Sequence, residues 1–537
     1  MYTRRINGLF SLVLLLLIGI GCRQEPVPPP TSANVAATVT LATDPTRSPS
    51  TVPRTPTRPR STATPTDVPT PGPTDTPTSP APLRLGIPAQ WEHAVRAVTQ
   101  DLDTARPWQV VISENAEQLL MAGDLEAALV AGDGEFFAGS TPLALAVPFA
   151  TDWDGVTLAQ ARDIQTNGHD LATVLPWDQL SAVQRALLVD GYHISDAGYP
   201  LQQPWSITAR PEATEAARQL ATRLQERTAI HDVKLVAVGD IMLDRALGQA
   251  IAAGDTLYPF THVATILQNA DLTVGNLESA LGDVGQPANK SYAFRAPPQA
   301  AQSLAQAGFD VVSLANNHGM DYGPEALLQG ISLLTDARIA PIGAGVDIDQ
   351  AHEPYVTEVN GLKLGFLAYV NVPVEGSAPY FDTASWTARP GAPGLAWADP
   401  ERIARDVGAL QERVDHIIVV LHSGYEYVPS PSPEQVAAAY AAIDAGASLV
   451  IGHHAHILQG VEFRGEGVIV YGLGNFAFNI TGPAQTAILS IWLGKQGVRQ
   501  LSFVPAIIQG SGQPVPAAEP DASAIRSQIY TLSRALN

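Results

Sequence analysis

Cysteine is almost missing from this chain: Cys22 is the only one in 537 residues. A single thiol excludes an intrachain disulfide, and it excludes a zinc site built from several cysteines. Charge is sparse too, at 15% of residues, and positive charge is the scarcer sign: 31 Lys and Arg stand against 52 Asp and Glu, a formal net charge of −21. Such a chain has no general electrostatic reason to hold nucleic acid or an anionic surface, so no nucleic-acid partner is expected. An acidic polymer would need a local basic pocket. What is present is the 45% apolar content of a globular protein, over a length that calls for two or three domains.

Residues 1–22 read as an export signal. Arg4 and Arg5 precede a nearly continuous apolar run, Leu9 to Ile20, and small residues follow. The run is shorter than the ~20 residues that span a bilayer. The ending Ile18-Gly19-Ile20-Gly21-Cys22 resembles a bacterial lipobox, in which the cysteine is lipidated and becomes the mature N-terminus. An ordinary signal peptide or an N-terminal anchor helix is the alternative. The only cysteine lies at the one place a lipobox needs it, which favours lipidation and a lipid-anchored location on the extracytoplasmic face of the cell membrane. Residues 23–82 are mostly Pro, Thr and Ser, as in Thr51-Val52-Pro53-Arg54-Thr55-Pro56-Thr57. With almost nothing to bury, they are expected to be a disordered, extended linker or stalk.

Residues 83–230 alternate strand-like and helix-like patterns, the mark of a smaller α/β domain. Leu83 to Ile87, Trp108 to Ser113 and Leu143 to Val147 read as strands. Ala89 to Leu102, Asp178 to Val189 and Glu212 to Glu226 read as helices. Pro142 and Pro148 are expected to mark the two ends of the Leu143 to Val147 strand, because proline donates nothing to a ladder. The piece from Leu143 through Thr157 resembles part of an extracellular solute-binding lobe. His169 and His193 stand alone and carry no expected chemistry.

From residue 231 to 512 one arrangement repeats. An apolar run ends and metal-capable residues follow at once. Leu235 to Val238 leads to Gly239-Asp240. Leu272-Thr273-Val274 leads to Asn276-Leu277-Glu278. Val311 to Leu314 leads to Asn316-Asn317-His318. Ile417 to Val420 leads to His422, and Leu449-Val450-Ile451 to Gly452-His453-His454-Ala455-His456. Continuous apolar runs suit strands covered on both faces, and ligands gather beyond the carboxyl ends of such strands. Carboxylate, amide oxygen and imidazole together suit Mn, Fe or Zn, as one or two divalent ions. Residues 513–537 read as a C-terminal tail.

These motifs, with Asp321-Tyr322-Gly323, His422-Ser423-Gly424-Tyr425-Glu426-Tyr427 and Tyr471-Gly472-Leu473-Gly474-Asn475-Phe476, resemble the calcineurin-like metallophosphoesterase superfamily. More narrowly, they resemble the CapA (PGA-cap) family of capsule-synthesis proteins, over roughly Lys234 to Ile508. The resemblance implies an α/β fold, a four-layer α/β/β/α sandwich, after the smaller α/β domain and the stalk. It implies Asp240, Glu278, Asn317, His422, His454 and His456 as metal ligands, with Glu278 bridging and His318 as the acid that protonates a leaving oxygen. Dimetal phosphoesterases usually begin Asp-x-His; here the third position is Met242, so one metal position is expected to be a ligand short, with Asp244 as a substitute. Arg245, Lys290 and Arg295 are the expected contacts to phosphate or carboxylate. Tyr425 and Glu426 are expected to orient His422, while His416 and His453 are expected to be structural.

Three functions follow. The first is an exported capsule or poly-γ-glutamate biosynthesis protein, alongside other capsule-synthesis proteins. The second is a metal-dependent hydrolase of a cell-surface polymer or phosphoester. The third is a solute-binding sensor with a degenerate enzyme domain. The lipobox reading has a direct check: Cys22→Ser is expected to release the protein from membranes or block its processing. Mass spectrometry that finds an unmodified Cys22 in the mature chain refutes it.

Overall fold

The computed structural model describes residues 80–102, 104–225, 232–375, 380–479 and 482–537. The export signal, Cys22 and nearly all of the stalk lie outside the described residues. Among the described residues no helix is long and apolar enough to cross a membrane. Thr78–Asn537 form one compact unit.

Two sheets make the C-terminal part. In the first, strand Val233–Met242 is central. Leu272–Leu277, Val311–Ser313 and Ala340–Ile342 continue it in parallel on one side, and Gln485–Gly494, Gly497–Gln509 and Gln513–Pro516 continue it antiparallel on the other. The second sheet runs Tyr355–Val359, Leu362–Asn371, His416–Ser423, Leu449–His453, Gly467–Val470, Val461–Arg464. Strand alternation sorts its side chains. Phe366, Ala368, Val370, Ile418, Val420 and Ile451 enter the principal core with the first sheet. Leu367, Tyr369, Ile417, Val419 and Leu421 face the other way, onto Ile403, Val407 and Leu410 of helix Pro400–Leu410 and Ala438, Ala439 and Ala442 of helix Pro433–Asp444. Both helices begin with a capped proline start: Asp399 accepts from the Arg402 N–H, and Ser432 and Gln435 form a capping box. Helices Arg245–Ala252, Ala300–Ala307 and Gly323–Asp336 bury Leu247, Ile251, Leu304, Leu327 and Leu334 in the principal core. The result is the expected α/β/β/α sandwich.

Residues 513–537 are not a tail. Gln513–Pro516 is an edge strand of the first sheet, and helix Asp521–Arg534 sends Ile525, Ile529 and Tyr530 into the principal core. Their short length and mixed composition hid a helix whose apolar stripe exists only for this neighbour.

The preceding region has its own seven-stranded sheet, ordered Trp108–Ile112, Leu83–Ile87, Ala127–Ala131, Gln202–Ala209, Phe136–Pro148, Thr173–Pro176, with Gln184–Ala186 also pairing with Phe136–Pro148. Two expectations fail here. The strand around Leu143 begins at Phe136 and passes through Pro142. Pro142 closes the ladder with Gln202–Ala209, and Leu143 opens the ladder with Thr173–Pro176, so the missing N–H falls at a change of partner. The helix expected over Asp178 to Val189 is instead a short 3-10 turn, Trp177–Gln179, and two strands, Gln184–Ala186 and Leu188–Val189. Its residues serve two neighbours: Arg185 pairs with Val147, while the Ala186 N–H reaches the Gln500 side chain at 3.1 Å.

That last bond belongs to the seam between the two sheet systems. Phe149 enters the principal core, edge-on to Phe463 at 5.3 Å and Tyr530 at 5.5 Å; truncating such a buried aromatic costs about 3–5 kcal/mol. Asp232 accepts from Trp177 Nε1 at 2.7 Å and pairs with Arg499 at 2.9 Å. The His193 ring stacks on Trp492 at 4.4 Å, and its Nε2 lies 2.7 Å from Gln500 Nε2. Because the Gln500 carbonyl oxygen already accepts from Ala186, its amide must donate, and His193 Nε2 must accept. A proton there would set two donors against each other.

Burial therefore pushes the His193 pKa down, to about 4, against the opposing charge of Asp196. The folded protein binds fewer protons than the unfolded chain between that value and ~6.5. Stability from this contact is complete above ~6.5 and is lost as pH falls toward 4, by a total on the order of 3 kcal/mol. Thermal melts are expected to show that His193→Asn lowers the melting temperature near pH 7 and flattens its fall between pH 6.5 and 4. Equal slopes for both proteins contradict this.

Candidate metal centre

Five strands deliver their ends to one place. Register sets the levels: Asp240 lies opposite Asn276 and Asn475, Asn276 opposite Ser313, and His422 opposite His453. Alternation sets direction. His422 shares the inner face with Val420, and His453 shares it with Ile451, so both look toward the first sheet. Glycine makes the close approach possible. A methyl group on Gly239 would lie 2.0 Å from the Gly474 carbonyl oxygen, the same oxygen that accepts from the Asp240 N–H at 2.9 Å. Beyond the second sheet's strand the chain turns sharply, with φ of 86° at His454 and 55° at His456, left-handed values that L side chains avoid.

The six residues expected as ligands come together. Asp240, Glu278 and His456 place ligand atoms within 4.8 Å of one another, and so do Glu278, His422 and His454. Glu278 belongs to both groups. Its Oε1 is 3.6 Å from His422 Nε2 and 3.6 Å from His456 Nε2. Asn317 Oδ1 is 2.7 Å from His422 Nε2. All six are buried. Neither Asp240 nor Glu278 meets a Lys or Arg among the described residues.

The partners of these side chains follow a pattern. Asp240 Oδ1 accepts from Asn276 Nδ2 at 2.9 Å and from His453 Nδ1 at 3.0 Å, and Oδ2 accepts from the His454 N–H at 3.2 Å. His456 Nδ1 donates to Asn475 Oδ1 at 2.8 Å, which leaves its Nε2 turned to Glu278. By contrast, both oxygens of Glu278, His454 Nδ1, His453 Nε2 and Asn317 Nδ2 are buried with no hydrogen-bond partner. Burial tends to raise the Asp240 pKa, but hydrogen bonds from His453 and His456 hold it well below the usual carboxylate range. Burial, then the Asp240 charge, pushes Glu278 well above it. Burial acts to neutralise His456, yet Glu278 and Asp240 raise it to about 10; burial and His456 lower His454 to about 3. Buried carboxylates and imidazoles lacking partners fit a divalent cation, since buried charges are paired or coordinate metals.

His318 lies beside this group. Its Nδ1 is 2.7 Å from Asp321 Oδ2, and its Nε2 is 3.7 Å from Glu375 Oε1. Lys290 is not available to substrate: its ammonium is buried, 2.7 Å from Asp321 and 2.5 Å from Glu375, and it also donates to the Asn317 carbonyl at 2.7 Å. It holds two acidic groups next to His318. Asp244 does not replace a ligand. Its carboxylate caps helix Arg245–Ala252, accepting from the Arg245 N–H at 2.7 Å and from the Arg295 N–H at 3.0 Å. Arg295 lies over Tyr322 at 4.3 Å, and Arg245 over Phe294 at 5.0 Å. Met242 packs with Phe294 and Phe478.

Two further expectations need correcting. Tyr425 and Glu426 are exposed; Asn276 Nδ2, 3.1 Å from Nδ1, and Asn317 orient His422 instead. His453 contacts Asp240 directly rather than serving the core alone. The signal was available in the strand period, since His453 shares a face with Ile451. Asn276 and Asn475 were legible only as motif members. His416 is structural as expected, bonded to Gly494 O at 2.7 Å and Ser448 at 3.0 Å.

Comparison with known proteins places this geometry among relatives. Residues 234–480 match the family described as bacterial capsule synthesis protein PGA_cap. The chain is 32% identical over 317 residues to capsule biosynthesis protein CapA of Bacillus anthracis, covering 56% of this chain and 75% of that protein. It is 29% identical over 273 residues to PGA biosynthesis protein CapA of Bacillus subtilis (strain 168), covering 50% and 70%. A presumed 5'-nucleotidase structure from Staphylococcus aureus shares 14% identity over 55% of this chain and 58% of that one, at a TM-score of 0.30, too loose to support a fold argument.

The donor set yields a graded expectation for metal content. Glu278→Gln and His454→Ala are expected to remove most bound metal. His453→Gln, which disturbs the support of Asp240, and Asn276→Ala, which disturbs the support of Asp240 and His422, are expected to weaken affinity by about 10–100-fold. His318→Ala is expected to leave metal content intact. Elemental analysis and metal titration of the purified variants check this order, and a Glu278→Gln protein with full metal content overturns it.

Proposed function

This chain belongs to the PGA_cap family of bacterial capsule synthesis proteins, and from that premise we propose that it serves the synthesis, export or attachment of a capsule polymer of the poly-γ-glutamate kind. It works from the extracytoplasmic face of the cell membrane, held by a lipid on Cys22 and spaced by the Pro/Thr-rich stalk. One observation carries the metal-dependent part of the reading: Glu278 is wholly buried, both its oxygens lack partners, and it is common to both ligand groups.

Asp240, Glu278 and His456 would hold one divalent ion, Mn, Fe or Zn; Glu278, Asn317, His422 and His454 would hold another. Such an ion supplies Lewis-acid polarisation of a phosphoryl or carbonyl oxygen and a more acidic bound water. The chain's own residues do the rest. Asn276 and His453 fix the Asp240 carboxylate, and Asn475 fixes the His456 tautomer. His318 holds Nδ1–H on Asp321, so its Nε2 is the atom left to carry a proton to a departing oxygen. Lys290 holds Asp321 and Glu375 in position.

The His318–Asp321 pair specifically favours a second reading, hydrolysis of a cell-surface polymer or phosphoester, because export or retention of a finished polymer needs no proton donor. A screen of the purified metal-loaded protein against γ-linked polyglutamate and phosphoesters, with capsule assays on a deletion strain, tests both. Loss of cell-bound polymer in the deletion strain, restored by wild type and not by Glu278→Gln, is the expected result. Normal capsule in the deletion strain contradicts the first reading. Hydrolysis that survives His318→Ala unchanged contradicts the second.

A further inference from the structure

Resting on the reading of this pocket as a metal site that handles an anionic polymer, we propose that Arg245 is its oxyanion anchor, taking a carboxylate or phosphoryl oxygen of the substrate above an apolar floor between His318 and His456.

The floor begins in the strand. Two residues beyond Asp240, on the same face, stands Met242, which is fully buried with Phe294 and Phe478. The Phe294 ring lies 4.4 Å from the His318 ring, the Phe478 ring 5.4 Å edge-on to His456, and the two phenyl rings meet at 6.4 Å. This group thus fills the space between the proton-donor side of the pocket and the Asp240–Glu278–His456 side. The Arg245 guanidinium stands on it, 5.0 Å from the Phe294 centroid, with one N–H group donated to the Asn479 carbonyl at 3.0 Å.

Its charge is unspent. Arg245 is exposed and, among the described residues, pairs with no carboxylate, although its floor packs on His318 and His456, the histidines that face Asp321, Glu375, Asp240 and Glu278. Asp240, Asp321 and Glu375 are paired with histidines or Lys290, and Glu278 faces imidazoles at 3.6 Å. The adjacent carboxylate, Asp244, is engaged by the backbone N–H groups of Arg245 and Arg295. A guanidinium has five N–H donors in a fork that matches two oxygens of a carboxylate or phosphate, and here most of that fork is free. The backbone is held at φ 52°, a left-handed value shared in this pocket by His454, His456 and Tyr427, at 61°. A long side chain kept in that conformation at a helix start is explained by where it must point, since glycine would sit there without strain.

The test is calorimetric binding to the full chain, purified with its metal, using inorganic phosphate and a γ-linked glutamate oligomer as separate probes. Arg245→Ala is expected to weaken binding of at least one probe by about tenfold to a hundredfold, to flatten the dependence of affinity on salt, and to leave metal content unchanged. Arg245→Lys, which keeps the charge and loses the fork, is expected to fall between. Arg245→Gly is expected to bind as poorly as Arg245→Ala with a melting temperature no lower, which separates anchoring from a structural role. Binding of phosphate alone identifies a phosphoryl oxygen as the ligand, and binding of the oligomer alone a carboxylate. Unchanged affinities in Arg245→Ala, or no binding of either probe by metal-loaded wild type, overturn the proposal. A wild-type protein without metal that still loses phosphate affinity on Arg245→Ala defeats the metal reading and upholds the anchor.

Discussion

Two carboxylates, Asp240 and Glu278, are buried in the interior with no Lys or Arg beside them among the described residues. Taking a carboxylate out of water costs several kcal/mol unless something replaces the lost solvation. Asp240 is compensated by Asn276, His453 and a backbone N–H. Glu278 is left with imidazoles at 3.6 Å and no donor. Against the effect of burial, Glu278 and Asp240 push His456 toward the charged form, while burial and His456 push His454 away from it. The protein keeps this arrangement although an apolar pair of the same size would be easier to bury, and a divalent cation between the two groups is the economical physical explanation.

The rest of the C-terminal fold makes that cluster possible. Two sheets share one apolar core, and their strands end at a common level, so residues far apart in sequence meet without long loops. Fine positioning comes from small features. Gly239 lets the Asp240 backbone touch the Gly474 turn, and left-handed residues after Leu449–His453 bring His454 and His456 back over Asp240. Around the metal-capable centre lies a separate electrostatic unit of His318, Asp321, Lys290 and Glu375, in which a buried lysine neutralises acids that hold a histidine in one tautomer. Met242, Phe294 and Phe478 pack against the rings of His318 and His456, while the Lys290 bond to the Asn317 carbonyl joins the two units.

The preceding α/β region is joined to this structure through buried contacts. Phe149 enters the principal core, and the Asp232–Trp177–Arg499 and His193–Trp492–Gln500 groups tie its loops to strand Gly497–Gln509 and its neighbour. Helix Asp521–Arg534 completes the seam, with Tyr530 beside Phe149 and Arg526 paired to Asp154 at 3.0 Å. A ligand or load acting on one region therefore has a packed route to the other, through side chains rather than through the backbone connection.

By itself the sequence determined the α/β class and the five strand ends with metal-capable residues beyond them, because buried parallel strands need continuous apolar runs and the chemistry follows each run directly; the choice of six ligands among those residues came from the family resemblance. His416 as a core histidine was legible for the same reason. Where a residue's role depends on what faces it, only tertiary structure decided. Lys290 looked like a contact for a substrate anion until Asp321 and Glu375 closed around it. Asp244 looked like a ligand until two backbone N–H groups claimed it. His453 was passed over although its strand face was computable from Ile451. The run from Asp178 to Val189 carries enough apolar residues for a helix, yet pairing with Pro148 and Val147 and the Gln500 bond draw it into strands. Residues 513–537 have an apolar stripe whose meaning appears only against Phe149 and Phe503. Local pattern fixes which groups can be buried; long-range packing selects their partners, and partners set charge state, availability and role.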